Sequence, residues 1–237
     1  SEWNSWGMSE REMSCPAEHD GCAGNEKPLK DSAVDSGGVT NQSEQILSES
    51  AEGESAATDI FIGTAGYNYP HWRSGVFYPR GLSQSLELRH YSGVFSAVEI
   101  NATFHGIPRE ETVDSWSRDA KSGFQFGWKV PRAITHDARL SGLGETWEVF
   151  LDRISRIGET RSLGPILFQL PPSLVKDISK LDAIADVTPS GMKFAFEFRN
   201  ETWYCSEVYE VLRRMQWAIC ENISPDSSTI RSMEVTA

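Results

Sequence analysis

From residue 60 onward, six short apolar or aromatic runs recur along the chain: IFIGTAG (60–66), AVEIN (97–101), FQFGWKV (124–130), PILFQL (165–170), KFAFEF (193–198) and WAICEN (217–222). Their length and side-chain make-up predict strands. Between them run longer stretches whose apolar residues fall three or four apart with charges between, at 82–95, 109–120, 146–159, 175–186 and 207–215. That spacing predicts amphipathic helices. The order is therefore βαβαβαβαβαβ.

Alternation of this kind requires parallel strands joined by helical crossovers, in either an open doubly wound sheet or a closed barrel. The first and sixth runs start at residues 60 and 217, about 31 residues per unit. That matches roughly 250 residues spread over the eight units of a TIM-type barrel. A dinucleotide-binding sheet would carry G-x-G-x-x-G in its first turn. Here the first run leads into GTAGYNYPHW, with Pro70 and aromatics where a helix should begin. The pattern predicts an α/β protein, a TIM-type (β/α) barrel with about six of eight units present, and implies no cofactor.

Side chains alternate across a strand, so each run divides into two faces. Val98 and Ile100, Phe126 and Trp128, Ile166, Phe168 and Leu170, and Phe194, Phe196 and Phe198 form one bulky face, which the helices should cover. The opposite face carries Glu99, Asn101, Lys129, Gln169, Glu197 and Arg199 toward the C-terminal strand ends, where barrel enzymes place their chemistry. Asn222 stands to join them from the sixth run. Such groups cost free energy to bury unless they pair with one another or with a ligand. The loops that leave the strands add Tyr67, Tyr69, His71, Trp72, His105, His136 and Trp203, and loops on a rigid scaffold are where binding usually lives.

Ahead of residue 59 the pattern vanishes. Residues 1–58 hold twelve acidic and three basic side chains, net −9, against twenty-two and nineteen, net −3, in residues 59–237. A stretch rich in Ser, Glu, Gly, Asn and Asp cannot offset its ordering entropy. Residues 1–58 therefore read as a disordered acidic tail, 59–222 as the partial barrel domain and 223–237 as a polar C-terminal tail. A net charge of −12 without a run of Lys or Arg argues against a nucleic-acid binder. No stretch approaches the roughly 20 apolar residues that span a bilayer, and no signal-peptide layout opens the chain, so a cytoplasmic protein is expected. Cys15, Cys22, Cys205 and Cys220 form no CxxC pair and read as reduced thiols; His19 between the first two makes a poor zinc signature.

Three chemistries suit the cluster. Two carboxylates, Glu99 and Glu197, fit glycoside hydrolysis, with Lys129 and Arg199 expected to lower their pKa values. Lys129 suits a Schiff base if desolvation lowers its pKa, although the neighbouring carboxylates are expected to raise it and favour ion pairing. Metal-assisted hydrolysis through His71, His136, Glu99 and Glu197 lacks an H-x-H or HExxH pair, so no metal site is expected. The reading is a hydrolase or lyase for a small polar or sugar-like substrate, with Glu99, Lys129 and Glu197 catalytic. Asn101, His136, Gln169, Arg199, Trp203, Tyr67 and Trp72 are the substrate-binding candidates. The alternatives are a non-catalytic binder of an anionic metabolite, gripped by Arg199, and a shortened, non-functional isoform.

The segments IGTAGYNYPHW with FYP, VEINATFHGIP, FQFGWKVPRAITH, LGPILFQLPP and FAFEFRNETW occur in the right order over about residues 60–222. In them the chain resembles the YecE-like family, the domain of unknown function numbered 72. The resemblance implies an intracellular TIM-type barrel and adds weight to Glu99, Asn101, Lys129, His136, Gln169, Glu197, Arg199 and Trp203; it implies no reaction. Tyr67 stands where members usually have Trp, His105 where Tyr is common, and Asn200 where His often follows the arginine. Members continue past the sixth strand with two more units, whereas here ENIS runs into PDSSTIRSMEVTA. The first and sixth strands are then expected to present open edges that invite self-association.

Overall fold

The computed structural model describes residues 59–157, 162–222 and 235–237. The expected acidic tail and most of the polar C-terminal segment lie outside the described residues. Six strands, β1 (Gly63–Ala65), β2 (Ala97–Ile100), β3 (Gln125–Lys129), β4 (Ser162–Gln169), β5 (Phe194–Glu197) and β6 (Ala218–Ile219), form one parallel sheet in chain order. Five helices alternate with them: α1 (Glu87–Tyr91), α2 (Glu110–Asp119), α3 (Gly144–Ser155), α4 (Ile178–Ala185) and α5 (Ser206–Met215). The fold is α/β, and its sheet is open, with β1 paired to β2, β6 paired to β5, and no pairing between β1 and β6 among the described residues.

The bulky strand face is buried as its period-2 pattern predicts. Val98, Ile100, Phe126, Trp128, Ile166, Phe168, Phe194 and Phe196 pack into one core with Leu88, Val113, Phe150, Leu181 and Leu212 from the five helices. Helix ends follow their charge preferences: α2 opens on Glu110 and Glu111 and closes on Arg118, and α5 opens on Glu207 and closes on Arg213 and Arg214. Asp177 caps α4 by accepting from the Ser179 N–H at 3.1 Å.

Several elements differ in extent from the sequence pattern; β1 begins at Gly63, three residues into its run, and β6 keeps two of its six. The helix read over 82–95 shortens to α1 preceded by a 3-10 turn at Gln84–Leu86, where Ser83 and Ser85 bond each other at 2.9 Å and offer an alternative to helical pairing. Strand β4 starts three residues before the predicted 165. A Cβ on Gly164 would lie 2.7 Å from the Phe126 carbonyl oxygen, so β3 and β4 meet there because that position is glycine, and a glycine leaves no alternation to read.

The long connection from β1 to α1 is fixed by a buried carboxylate. Glu87 is fully buried and accepts from Arg73 Nε at 2.6 Å and Nη2 at 3.2 Å. Arg73 also donates to Asn68. Tyr91 reinforces the base of the same region: its hydroxyl accepts from the Thr64 N–H at 2.8 Å and lies 3.1 Å from the Ala97 carbonyl oxygen, joining α1 to β1 and β2.

Candidate functional site

Parallel register brings the polar strand ends together. Glu99 stands opposite Gly127, two residues before Lys129 on the same face of β3; Lys129 stands opposite Leu167, and Gln169 opposite Glu197. Three of these polar residues, Lys129, Gln169 and Glu197, keep no more than 8% of their surface exposed. Glu197 is the hub. Gln169 Nε2 donates to its Oε2 at 2.7 Å, while Arg199 Nε at 3.0 Å and Asn222 Nδ2 at 3.3 Å donate to its Oε1. The Glu197–Arg199 half of the expected charge network is therefore present.

The Glu99–Lys129 half takes a different form. Among the described residues no carboxylate oxygen lies within 4.0 Å of the Lys129 ammonium. Instead Lys129 Nζ sits 5.0 Å from the centre of the Phe104 ring. That ring is delivered by the turn after β2, Asn101–Phe104, whose buried Thr103 hydroxyl lies 2.7 Å from the Ile100 carbonyl oxygen and 2.6 Å from that of Lys129. His136 closes the same side edge-on to Phe104, with ring centres 4.9 Å apart. It projects from a π-helical turn, Ala133–Asp137, a local widening that often accompanies functional residues. Its Nδ1 is 2.9 Å from the Thr135 hydroxyl.

Burial decides the ionisation of the pair. It pushes the Glu99 carboxyl above its ordinary value; Lys129 and Arg199 pull it back, and Glu197 adds to the rise. It pushes the Lys129 ammonium down, against the attraction of Glu99 and Glu197 and with the help of Arg199. Both directions correct the expectations from charge alone, in which cations lower Glu99 and carboxylates raise Lys129. Desolvation outweighs Coulomb attraction because half-buried Glu99 and buried Lys129 are not joined. His136 is also lowered, by burial and then by the Arg132, Arg199 and Lys129 charges, with Asp137 opposing.

The structure gathers Glu99, Lys129, Gln169, Glu197, Arg199 and His136, with half-buried Asn101 at the start of the turn that carries Phe104. The three predicted aromatic binders are placed elsewhere. Trp203 is fully buried, stacked at 5.0 Å on Phe198 and donating to the Leu174 carbonyl at 2.7 Å, so it is a core residue. Tyr67 packs against Tyr91 of α1, with ring centres 6.0 Å apart, and burial pushes its phenol up to about 12. Trp72 lies parallel to Tyr91 at 6.4 Å and edge-on to Phe77 at 5.3 Å, in the packing around Tyr91.

Three neighbours of the site stand outside the catalytic and substrate-binding candidates, although Tyr69 is among the loop aromatics that the sequence supplies. Tyr69, held by a hydrogen bond to the Ala65 carbonyl, is raised by burial and then by the Glu99 charge. Gly66 makes room for it: φ is +87° there, and a Cβ would come 2.9 Å from the Tyr69 oxygen. Phe104 is the second, legible only as an aromatic two residues past the polar end of β2. Cys220 is the third; burial, with Glu197 and Glu99 nearby, pushes its thiol up to about 11. A cavity of about 270 Å³ between α3 and α4, lined by Leu140, Leu143, Trp147, Leu151 and Ile184, is mostly apolar and lies apart from these groups. No helix among the described residues is long and apolar enough to cross a membrane.

Fold and cluster define an α/β protein with a charged site at the C-terminal ends of a parallel sheet. Residues 61–237 match the family described as "Protein of unknown function DUF72", and the chain belongs to that family. It is 26% identical over 147 residues to UPF0759 protein YecE of Escherichia coli K12, a match covering 61% of this chain and 50% of that protein. It is 26% identical over 159 residues to UPF0759 protein YunF of Bacillus subtilis 168, covering 64% and 54%. The chain thus spans about half the length of these curated relatives. The crystal structure of a DUF72 family protein from Thermotoga maritima MSB8 is similar at TM-score 0.62 and 26% identity, over 74% of this chain and 70% of that one. A DUF72 family protein from Enterococcus faecalis V583 is similar at TM-score 0.57 and 19% identity, over 74% and 68%, a likeness of fold.

Proposed function

We propose that the strand-end cluster is a proton-transfer active site, of the hydrolase or lyase kind, for a small polar, sugar-like substrate. Its six strands are read as consecutive units of a TIM-type barrel, which puts the cluster at the catalytic end. Glu99 acts as general acid and Lys129 as base or nucleophile; Glu197 positions Arg199, Gln169 and Asn222, and Arg199 takes an anionic substituent. The observation that carries this is the pair of half-buried Glu99 and buried Lys129, unjoined, with desolvation moving both groups toward their neutral forms. Opposed shifts of that kind equip a site for acid and base work near neutral pH. The free thiols of Cys205 and Cys220 suit the reducing cytoplasm.

A thermal-shift screen of aldoses, sugar acids and sugar phosphates, followed by turnover assays on the hits, tests the reading. Glu99→Gln should then lower turnover by about 100-fold or more while substrate still binds. A site that only holds anions would instead keep or gain affinity in that variant, and turnover would be absent from both proteins.

A further inference from the structure

We propose that Lys129 is an imine-forming lysine and that its partner is a small 2-oxo acid, whose carbonyl meets the Lys129 amine while its carboxylate rests on Arg199. The inference rests on the proton-transfer reading above and deepens it. Its basis is geometric. The Lys129 ammonium is not held by any carboxylate within 4.0 Å among the described residues; it lies over a ring face, that of Phe104, at 5.0 Å. A lysine recruited for charge pairing would be seated on an oxygen, as Arg199 is on Glu197 at 3.0 Å. Arg199 gives its Nε to Glu197, which leaves the two terminal amino groups of a guanidinium one-third exposed to receive an anion. The groups that face Lys129 are Glu99 from β2, Glu197 and Arg199 from the end of β5, and His136 from the π-helical turn.

The chemistry closes on these groups alone. The Nζ lone pair adds to the carbonyl carbon as the C=O π bond breaks, and one amine proton passes to the oxygen to give a carbinolamine. The Glu99 carboxyl then protonates that hydroxyl, the C–O bond breaks and water leaves. The products are a protonated imine on Lys129 and a Glu99 carboxylate beside it. Charge is conserved, and no oxidant or reductant is needed. A neutral amine facing a neutral carboxyl is the starting state that burial favours.

Pyruvate and acetone, each with cyanoborohydride, are the probes for the full chain, with peptide mapping as the readout. Acetone has the carbonyl and lacks the carboxylate. Reductive methylation with formaldehyde, run in parallel across pH, reports the basicity of every lysine. The expected result is a pyruvate adduct at Lys129 at least ten times more abundant than at Lys121, Lys176, Lys180 or Lys193, with little acetone adduct. Lys129→Arg should abolish it. Arg199→Gln should lose pyruvate trapping while Lys129 remains open to methylation, which shows the site still folded. Pyruvate spread evenly over the lysines overturns the proposal. Methylation of Lys129 at lower pH than the other lysines, without a pyruvate adduct, overturns the 2-oxo-acid imine and leaves the proton-transfer reading standing. Late methylation of Lys129 overturns both.

Discussion

Gln169 Nε2 donates to Glu197 Oε2 at 2.7 Å across directly paired positions of β4 and β5. The bond occupies one carboxylate oxygen, so that Arg199 and Asn222 share the other. Replacing Gln169 by Leu keeps most of the volume and removes the donor, leaving a buried acceptor short of a partner. The expected cost is about 1–2 kcal/mol. Gln169→Glu is the harsher change, because it sets two carboxylates side by side, and should cost about 3 kcal/mol. Urea denaturation of the two variants measures both. Equal stability in all three proteins would mean that Glu197 is not the hub of the site.

Glu99 should behave in the opposite way. Burial holds its carboxyl above the ordinary 4.5 despite the nearby cations, so its ionised form weighs against folding. For a group whose folded pKa is raised, the stabilising contribution is full below the unfolded pKa and is lost as pH rises through the folded one. Glu99→Gln should therefore be more stable than the parent at neutral pH, by about 1 kcal/mol. The difference should shrink as pH falls through the folded value and vanish well below the ordinary 4.5, where the parent carboxyl is protonated both folded and unfolded. Thermal melts between neutral and mildly acidic pH give the comparison. A less stable variant at neutral pH would show that Glu99 serves the fold as an ion-pair partner.

Much of this was legible in the sequence, and the parts that were not share a cause. Alternation identified the buried faces of β2 to β5, and the same parity placed Glu99, Lys129, Gln169 and Glu197 on one surface. Parity says nothing of distance. The pKa directions of Glu99 and Lys129 depend on whether two side chains from neighbouring strands touch, and they do not. Loop aromatics are hard to read for a related reason: a ring that follows a strand end can fold to either side of the sheet. Tyr67, Trp72 and Trp203 turned to the core, while Phe104 and Tyr69 turned to the charges. The π-helical turn under His136 has no sequence period of its own to read.

Trp203 offers a direct check on that sorting. Trp203→Ala should cost about 3–5 kcal/mol, as the loss of a fully buried aromatic does. Trp203→Phe keeps the stack on Phe198 and gives up the bond to the Leu174 carbonyl, for about 1 kcal/mol. Ligands found for the strand-end site should bind Trp203→Phe with unchanged affinity. A tenfold loss would return Trp203 to the binding surface.

Thr103 tests how the site is held in place. Its buried hydroxyl lies between the carbonyl oxygens of Ile100 and Lys129, clamping the turn after β2 to the end of β3 and setting Phe104 against the Lys129 ammonium. Thr103→Val preserves shape and removes the clamp, at an expected cost of about 1–2 kcal/mol. If the Phe104 ring helps to keep water from Lys129, loosening the turn hydrates the ammonium, and its pKa rises back toward the ordinary value of 10.5. Reductive methylation of Lys129 should then begin at higher pH than in the parent, while the exposed lysines are unaffected. Thr103→Ser keeps the hydroxyl and should restore the parent profile. An unchanged profile in Thr103→Val, with stability lost, would confine Thr103 to the fold and assign the low basicity of Lys129 to the strand ends alone.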